Sequence, residues 1–132
     1  MEGNTMKFDT PDMPDESHQT SLSPQVNSVC HCVHLKLKGP LHIEKLRELL
    51  KRVRTSVPGL IEIHFGENVN ASGKNVDSVQ GNTHALFSRH QNGQYLKMYK
   101  THPARMDLMN YLMSRAECPP TVVDFVNISS SL

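Results

Sequence analysis

The order of six patterned segments is the feature that most constrains the fold of this chain. Alternating apolar and polar residues predict strands, whereas apolar residues spaced three and four apart predict helices. The segments are a strand at 29–38, a helix at 43–57, strands at 60–65 and 83–89, a helical region from about 92 to 113, and a strand at 121–128. This βαββαβ order predicts an α+β, ferredoxin-like domain with a four-stranded antiparallel sheet and helices on one face.

The first strand shows how such a sheet is expected to pack. Val29, His31 and Val33 share one face, and Cys30 and Cys32 lie on the other. The helices cover only one face, and the uncovered face carries enough apolar residues that exposing it to water would be costly. Pairing with a second copy about a two-fold axis removes that cost, so we expect a homodimer.

The chain divides in composition at about residue 28. Residues 1–27 contain three prolines and few residues that build a core, which predicts a disordered N-terminal tail. Residues 28–132 form the predicted domain. Of the 14 basic and 13 acidic residues in the chain, the tail holds one and five, so the domain carries 13 and 8, a net charge of +5. Much of this positive charge lies on the helix predicted at 43–57. We expect no nucleic-acid partner, because few aromatic residues accompany the charge and the solvent-exposed face of a helix commonly carries such basic residues.

Several broad classes of protein are not favoured by the composition. The chain has no apolar run of about 18 residues and no secretory signal pattern, so we expect no membrane partner and a cytoplasmic location. Three cysteines are an odd number for a disulfide framework, and free thiols are expected. The ending Ser130-Ser131-Leu132 resembles a weak variant of the peroxisomal address, which keeps the peroxisome as an alternative location.

The Cys30-His31-Cys32 run resembles part of a metal site. Strand alternation sends His31 to the face opposite both cysteines, and a zinc site needs ligands that converge. We therefore predict no metal site there. The sequence also shows no phosphate loop, serine nucleophile elbow or paired-carboxylate signature.

A further set of motifs points to a known family. The motifs are His31 with the following HLKLK, Pro58-Gly59, Gly66-Glu67-Asn68, Thr83-His84, the YKTHPAR segment from Tyr99 to Arg105, and Val123-Asp124-Phe125. In this order and spacing, the chain from Val29 to Ile128 resembles the stress-responsive dimeric α/β-barrel domain family of plants and bacteria. The resemblance implies a dimer whose two sheets face one another and close a barrel, with a cleft between sheet and helices in each subunit.

The resemblance also implies roles for single residues. Some relatives are plant polyketide cyclases that need no cofactor, and some members bind a magnesium ion, although we identify no oxygen cage for one in this sequence. Tyr99 matches the tyrosine that supports the reacting carbonyl, and His31 matches a pocket histidine. The histidine that acts as general base is replaced by Arg105, and the first-helix tyrosine falls at about Leu50.

Arg105 changes the expected chemistry, because a guanidinium stays protonated and cannot accept a proton. Cyclase activity by the familiar route is therefore not expected. A planar fork of donors suits a carboxylate or phosphate, so we expect a pocket for a small anionic or polyketide-like ligand. The predicted lining residues are His31, His84, Tyr99, His102 and Arg105.

Alternatives remain open for the function and for each histidine. The protein could be a cofactor-free cyclase or lyase that uses Tyr99 with His31 or His102 as base, or a stable stress-associated assembly protein. His31 could equally be a core histidine with one hydrogen bond, His84 could bond to the backbone, and His102 could cap a helix.

Overall fold

The computed structural model describes residues 27–70 and 81–128. The elements are β1 (Val29–Leu35), α1 (Ile43–Ser56), β2 (Leu60–Glu67), β3 (His84–His90), α2 (Gly93–Thr101), α3 (Pro103–Met113) and β4 (Thr121–Val126). The predicted α+β, ferredoxin-like order is confirmed. Residues 1–26 of the predicted tail, residues 71–80 of the loop between β2 and β3, and the Ser130-Ser131-Leu132 ending lie outside the described residues.

The four strands form one antiparallel sheet in the order β2-β3-β1-β4. In this register, His31 on β1 lies opposite Ser88 on β3 and Asp124 on β4. Directly opposed residues in an antiparallel pair project to the same face of the sheet. The register therefore places these three polar side chains together on the face that carries the helices.

The core lies between this face and the helices. Its apolar residues come from β1, β2, β3 and all three helices, and several are fully buried; they include Val33, Leu35, Val53, Leu86, Leu108 and Leu112. The periodicity of α1 explains its orientation, since Leu46, Leu49 and Val53 recur at helical spacing and all three are buried. Among the described residues, no helix is long and apolar enough to cross a membrane.

Side-chain caps set where the second helical region begins and where it divides. Asn92 caps α2 by accepting a hydrogen bond from the backbone N–H of Tyr95 at 3.0 Å. His102 ends α2 and caps α3, its Nδ1 accepting from the Ala104 N–H at 3.1 Å. Pro103 occupies the first turn of α3, where its missing N–H costs nothing. The single helical region expected from about residue 92 to 113 is therefore two helices, which meet at His102.

The last strand is the least covered element of the sheet. All six residues of β4 are exposed. Val123 and Phe125 lie on the sheet face without helices, opposite Cys32 and Cys30 on β1. The sheet thus has an apolar face and an edge that the described part of this chain does not cover.

Candidate functional site

A group of polar side chains surrounds the ring of Tyr99, which is fully buried on α2. The ring centroid lies 5.8 Å from that of His31 and 4.5 Å from that of His90. The guanidinium carbon of Arg105 lies 5.5 Å from the same centroid. We call the seven residues His31, Ser88, His90, Tyr99, Lys100, Arg105 and Asp124 the Tyr99 cluster.

Three parts of the fold bring this cluster together. The sheet register aligns His31, Ser88 and Asp124, and His90 lies two residues beyond Ser88 on the same face. The α2 helix crosses this part of the sheet and carries Tyr99 and Lys100 in its last turns. The break at His102 then starts α3, whose first turn returns Arg105 towards the ring.

A chain of hydrogen bonds runs from the sheet to α2 through Asp124. The Oδ1 atom of Asp124 lies 2.5 Å from Nδ1 of His31, and its Oδ2 accepts from Nζ of Lys100 at 3.1 Å. Burial acts to raise the pKa of Asp124, but the bonds from His31 and Lys100 outweigh it and hold that pKa below its usual value. An ionised carboxylate only accepts hydrogen bonds, so Nδ1 of His31 is the donor.

The other nitrogen of His31 is consequently the acceptor of a neutral ring. Burial lowers the pKa of His31, and the nearby charge of Asp124 opposes that shift only in part. His90 is also fully buried, and burial lowers its pKa to about 4. Both histidines are therefore neutral at neutral pH, and Nε2 of His90 shares a 2.8 Å hydrogen bond with Oγ of Ser88.

Four buried polar atoms of the cluster have no hydrogen-bond partner among the described residues. They are Nε2 of His31, Nδ1 of His90, the Tyr99 hydroxyl and Nε of Arg105. Burial raises the pKa of Tyr99, and the charge of Arg105 offsets this only in part, so the hydroxyl is neutral. The Ser88 and Arg105 side chains also lie near this hydroxyl and act in the same direction as that charge, but neither meets it with the distance and angle of a hydrogen bond. A buried polar group without a partner is destabilising by about 1–3 kcal/mol. A small polar molecule that reached these atoms would find several donors and acceptors together.

The charges of the cluster sum to a positive value. Lys100 and Arg105 carry one positive charge each, Asp124 is ionised, and the two histidines are neutral. The net charge is therefore +1. This arrangement favours a negatively charged molecule over a neutral one.

A family model described as Stress responsive A/B Barrel Domain matches residues 29–127. The chain belongs to this family. No significant match is found among curated protein sequences.

Solved structures of several proteins resemble this family member. A protein of Arabidopsis thaliana is 25% identical, with a TM-score of 0.59 over 79% of this chain and 99% of that chain. The hydroxynitrile lyase from Passiflora edulis is 18% identical, with a TM-score of 0.61 over 83% and 99%. A dimeric ferredoxin-like protein of unknown function from Thermobifida fusca is 15% identical, with a TM-score of 0.61 over 80% and 95%. The last two likenesses show a shared fold.

Of the five predicted lining residues, the structure brings together His31, Tyr99 and Arg105. His84 lies at the other end of β3, where it contacts the Thr83 hydroxyl at 2.7 Å and stacks on Phe65 at 5.3 Å. The Nδ1 atom of His102 is occupied in capping α3. His102 therefore acts as a helix cap, which was the alternative expected for it. A role in ligand binding stays a prediction for each of the five residues.

Four members of the cluster were missed by sequence reasoning. Ser88 and His90 occupy helix-facing positions of β3 at which the alternation calls for apolar residues, which was the available signal. The predicted strand also ended at Arg89, one residue before His90. Lys100 and Asp124 lay within the family motifs, but no role was assigned to them.

The described residues do not fit a metal site. His31 and the two cysteines beside it point to opposite faces of the sheet, as predicted. Within residues 27–70 and 81–128, no three His, Cys, Asp or Glu side chains are grouped so that they could hold a metal ion. A magnesium ion therefore has no identifiable ligand set within these residues.

A surface depression along α1 lies away from the cluster. Both acidic and basic side chains line it, among them Glu44, Glu48, Lys45 and Arg52. The mixed charge offers neither a basic surface for nucleic acid nor converging groups for catalysis, so we assign it no role.

Proposed function

We propose that this member of the stress-responsive barrel family is a homodimer that binds a small anionic molecule in a polar pocket around Tyr99. The observation that carries the proposal is the group of four buried, unpartnered polar atoms inside a cluster of net positive charge. Such atoms are stabilised when a ligand supplies the missing hydrogen bonds.

Arg105 is the proposed anchor for the anion. One of its nitrogens, Nη1, donates to the Lys100 carbonyl at 3.3 Å, and the guanidinium lies over the Tyr99 ring. These contacts fix the group while leaving Nε without a partner among the described residues. A guanidinium held in this way presents donors in the planar arrangement that a carboxylate accepts. It cannot act as a general base, so we do not propose cyclase activity by the route known in the relatives.

The homodimer is supported by the uncovered face of the sheet. Phe87, Val123 and Phe125 share the face that carries no helix, and Val123 and Phe125 are about half exposed. The Thermobifida fusca protein of the same fold is described as dimeric. Packing two such faces together would bury this apolar surface.

The test uses benzoate as the anionic probe and benzyl alcohol as its neutral counterpart, with binding measured by calorimetry. We expect benzoate to bind at least about tenfold more tightly, a difference of 1.4 kcal/mol. Arg105→Ala should remove this preference. Arg115→Ala is the matched control, because Arg115 also lies over a tyrosine ring, at 5.9 Å from Tyr111, and donates to a carbonyl.

Two results would contradict the anion pocket. One is the absence of saturable benzoate binding at millimolar concentration. The other is an equal loss of binding in the Arg105 and Arg115 variants, which would show a general effect of removing a cation.

A second function is favoured by one observation, the link between His31 and Asp124. A carboxylate that accepts from Nδ1 leaves Nε2 of His31 as a buried proton acceptor beside the Tyr99 ring, which is the arrangement of a general base and its orienting group. The Passiflora edulis protein is a hydroxynitrile lyase. In such a cleavage, the base takes the hydroxyl proton, the carbon–nitrile bond breaks, cyanide leaves and a carbonyl forms.

Turnover of mandelonitrile to benzaldehyde and cyanide tests this second function. If His31 is the base, His31→Gln abolishes turnover and Tyr99→Phe reduces it, whereas His84→Gln leaves it unchanged. The rate should fall with acid only below the usual histidine pKa, because burial lowers the pKa of His31. Absence of turnover in the wild type, or equal turnover in His31→Gln, would rule this function out.

A further inference from the structure

The unpartnered atoms of the Tyr99 cluster differ in the hydrogen bonds that they can form. Nε of Arg105 can only donate, whereas the Tyr99 hydroxyl can donate or accept. Nε2 of His31 can only accept, because the proton of the neutral ring lies on Nδ1, 2.5 Å from Oδ1 of Asp124. A molecule that satisfies all of these atoms therefore needs both an acceptor and a donor.

Asp124 determines that His31 is an acceptor. Its carboxylate cannot donate a hydrogen bond, and Nζ of Lys100 supports the ionised form by donating to Oδ2 at 3.1 Å. His90 is not constrained in this way, because its Nε2 meets the Ser88 hydroxyl, which can donate or accept. Of these two buried histidines, His31 is the one that places a fixed requirement on a ligand.

A plain carboxylate meets only half of that requirement. Its oxygens accept hydrogen bonds, so they can pair with Arg105 and with the Tyr99 hydroxyl but not with Nε2 of His31. The His31 side chain is only 2% exposed, so water has little access to that nitrogen. A plain carboxylate that filled the pocket would leave a buried acceptor unpaired, which weakens binding.

We infer that the pocket selects a hydroxycarboxylate, whose carboxylate binds Arg105 and whose hydroxyl donates to Nε2 of His31. This inference rests on the proposed anion pocket and adds the second group that its ligand carries. The guanidinium carbon and the imidazole centroid lie 5.5 and 5.8 Å from the centroid of the Tyr99 ring, so one small molecule beside that ring can reach both. An ammonium donor is less suitable than a hydroxyl, because it costs more to remove from water and the cluster already has a net positive charge.

Three carboxylates of similar size test the hydroxyl requirement by calorimetry at pH 7. Mandelate carries a hydroxyl, α-fluorophenylacetate carries fluorine in its place, and phenylacetate carries hydrogen; the enantiomers of the first two are measured separately. In the wild type we expect the better enantiomer of mandelate to bind at least about tenfold more tightly than the other two compounds, a difference of 1.4 kcal/mol. Tropate against hydratropate repeats the comparison with the hydroxyl one carbon farther from the carboxylate.

His31→Phe tests the acceptor directly. A phenyl ring cannot accept the hydroxyl proton, so mandelate and phenylacetate should bind this variant with equal affinity through Arg105. His64→Phe is the control, because His64 is largely exposed, and it should retain the tenfold advantage of mandelate. Far-ultraviolet circular dichroism checks that both variants fold, and an unfolded His31→Phe leaves the decision to Asp124→Asn.

Asp124→Asn tests the positioning of His31. Lys100 should hold the amide oxygen, so that the amide N–H faces Nδ1 of His31 and favours a proton on Nε2. Nitrogen-15 shifts of the His31 ring report this change, and the advantage of mandelate over phenylacetate should fall at least about threefold. Asp107→Asn is the matched control, since it also removes a carboxylate that pairs with a cation, Arg52 at 2.9 Å, and it should change neither quantity.

The outcomes separate this inference from the proposed function. If neither benzoate nor mandelate binds the wild type, the anion pocket and the hydroxyl requirement are both overturned. If the carboxylates bind but neither mandelate nor tropate gains from its hydroxyl, only the hydroxyl requirement is overturned. An advantage of mandelate that persists in His31→Phe would overturn the role of His31.

Discussion

Acid should destabilise this protein through His90 well above the pH at which carboxylates titrate. His90 is fully buried, and burial lowers its pKa from the ordinary 6.5 to about 4. Between these two values the unfolded chain binds a proton at this residue and the folded chain does not. The free energy of unfolding therefore falls as the pH falls from 6.5 towards 4.

The size of the effect follows from the two pKa values. Between pH 7 and pH 5 the difference in proton binding at His90 corresponds to a loss of about 2 kcal/mol. The pKa values of His31 and His84 are also lowered by burial, so these residues act in the same direction. Their contributions cancel when the wild type is compared with a variant that lacks only His90.

Urea unfolding at pH 7, 6 and 5, at a single protein concentration, measures the effect. His90→Gln keeps a polar side chain that can reach Ser88 but removes the titrating group. Between pH 7 and pH 5, the free energy of unfolding of this variant should fall by about 2 kcal/mol less than that of the wild type. His64→Gln, at a largely exposed histidine, is the control and should follow the wild type. The reasoning is refuted if His90→Gln loses as much stability with acid as the wild type does.

Three further substitutions test the packing by urea unfolding. Gly59→Ala should lower the free energy of unfolding by roughly 2–5 kcal/mol, because Gly59 has φ +74° and an added Cβ would overlap the Tyr95 ring. A loss below about 1 kcal/mol would contradict this. Leu108→Ala should cost about 2–5 kcal/mol, since Leu108 is fully buried, and a neutral effect would contradict the core described above. Asp107→Asn should lower the free energy of unfolding by less than about 1 kcal/mol, because the 2.9 Å ion pair of Asp107 with Arg52 is half exposed. A larger loss would show that this ion pair stabilises the fold more than its exposure implies.

The order of elements could be predicted because each depends on local pattern. The alternation around Val33 and the helical spacing of Leu46, Leu49 and Val53 are properties of short segments. The break at Pro103 follows from the chemistry of one residue. The end of β3 was placed one residue too early, since a strand boundary depends on pairing with β1 as well as on alternation.

The site could be predicted only in part, because it depends on contacts between distant segments. His31 and Asp124 are 93 residues apart in the chain and meet through the pairing of β1 with β4. Local periodicity does not reveal that register. The family resemblance identified His31, Tyr99 and Arg105, but the link from Asp124 to Lys100 emerges only when the strands and α2 are in place.

The central proposal is that the Tyr99 cluster forms the binding site for a small anion. A crystal structure of the protein grown with benzoate tests it most directly. We predict that the carboxylate lies on the Arg105 guanidinium, between the sheet and α2. Benzoate bound only elsewhere, or a cluster that remains closed around Tyr99 with no benzoate in it, would contradict the account.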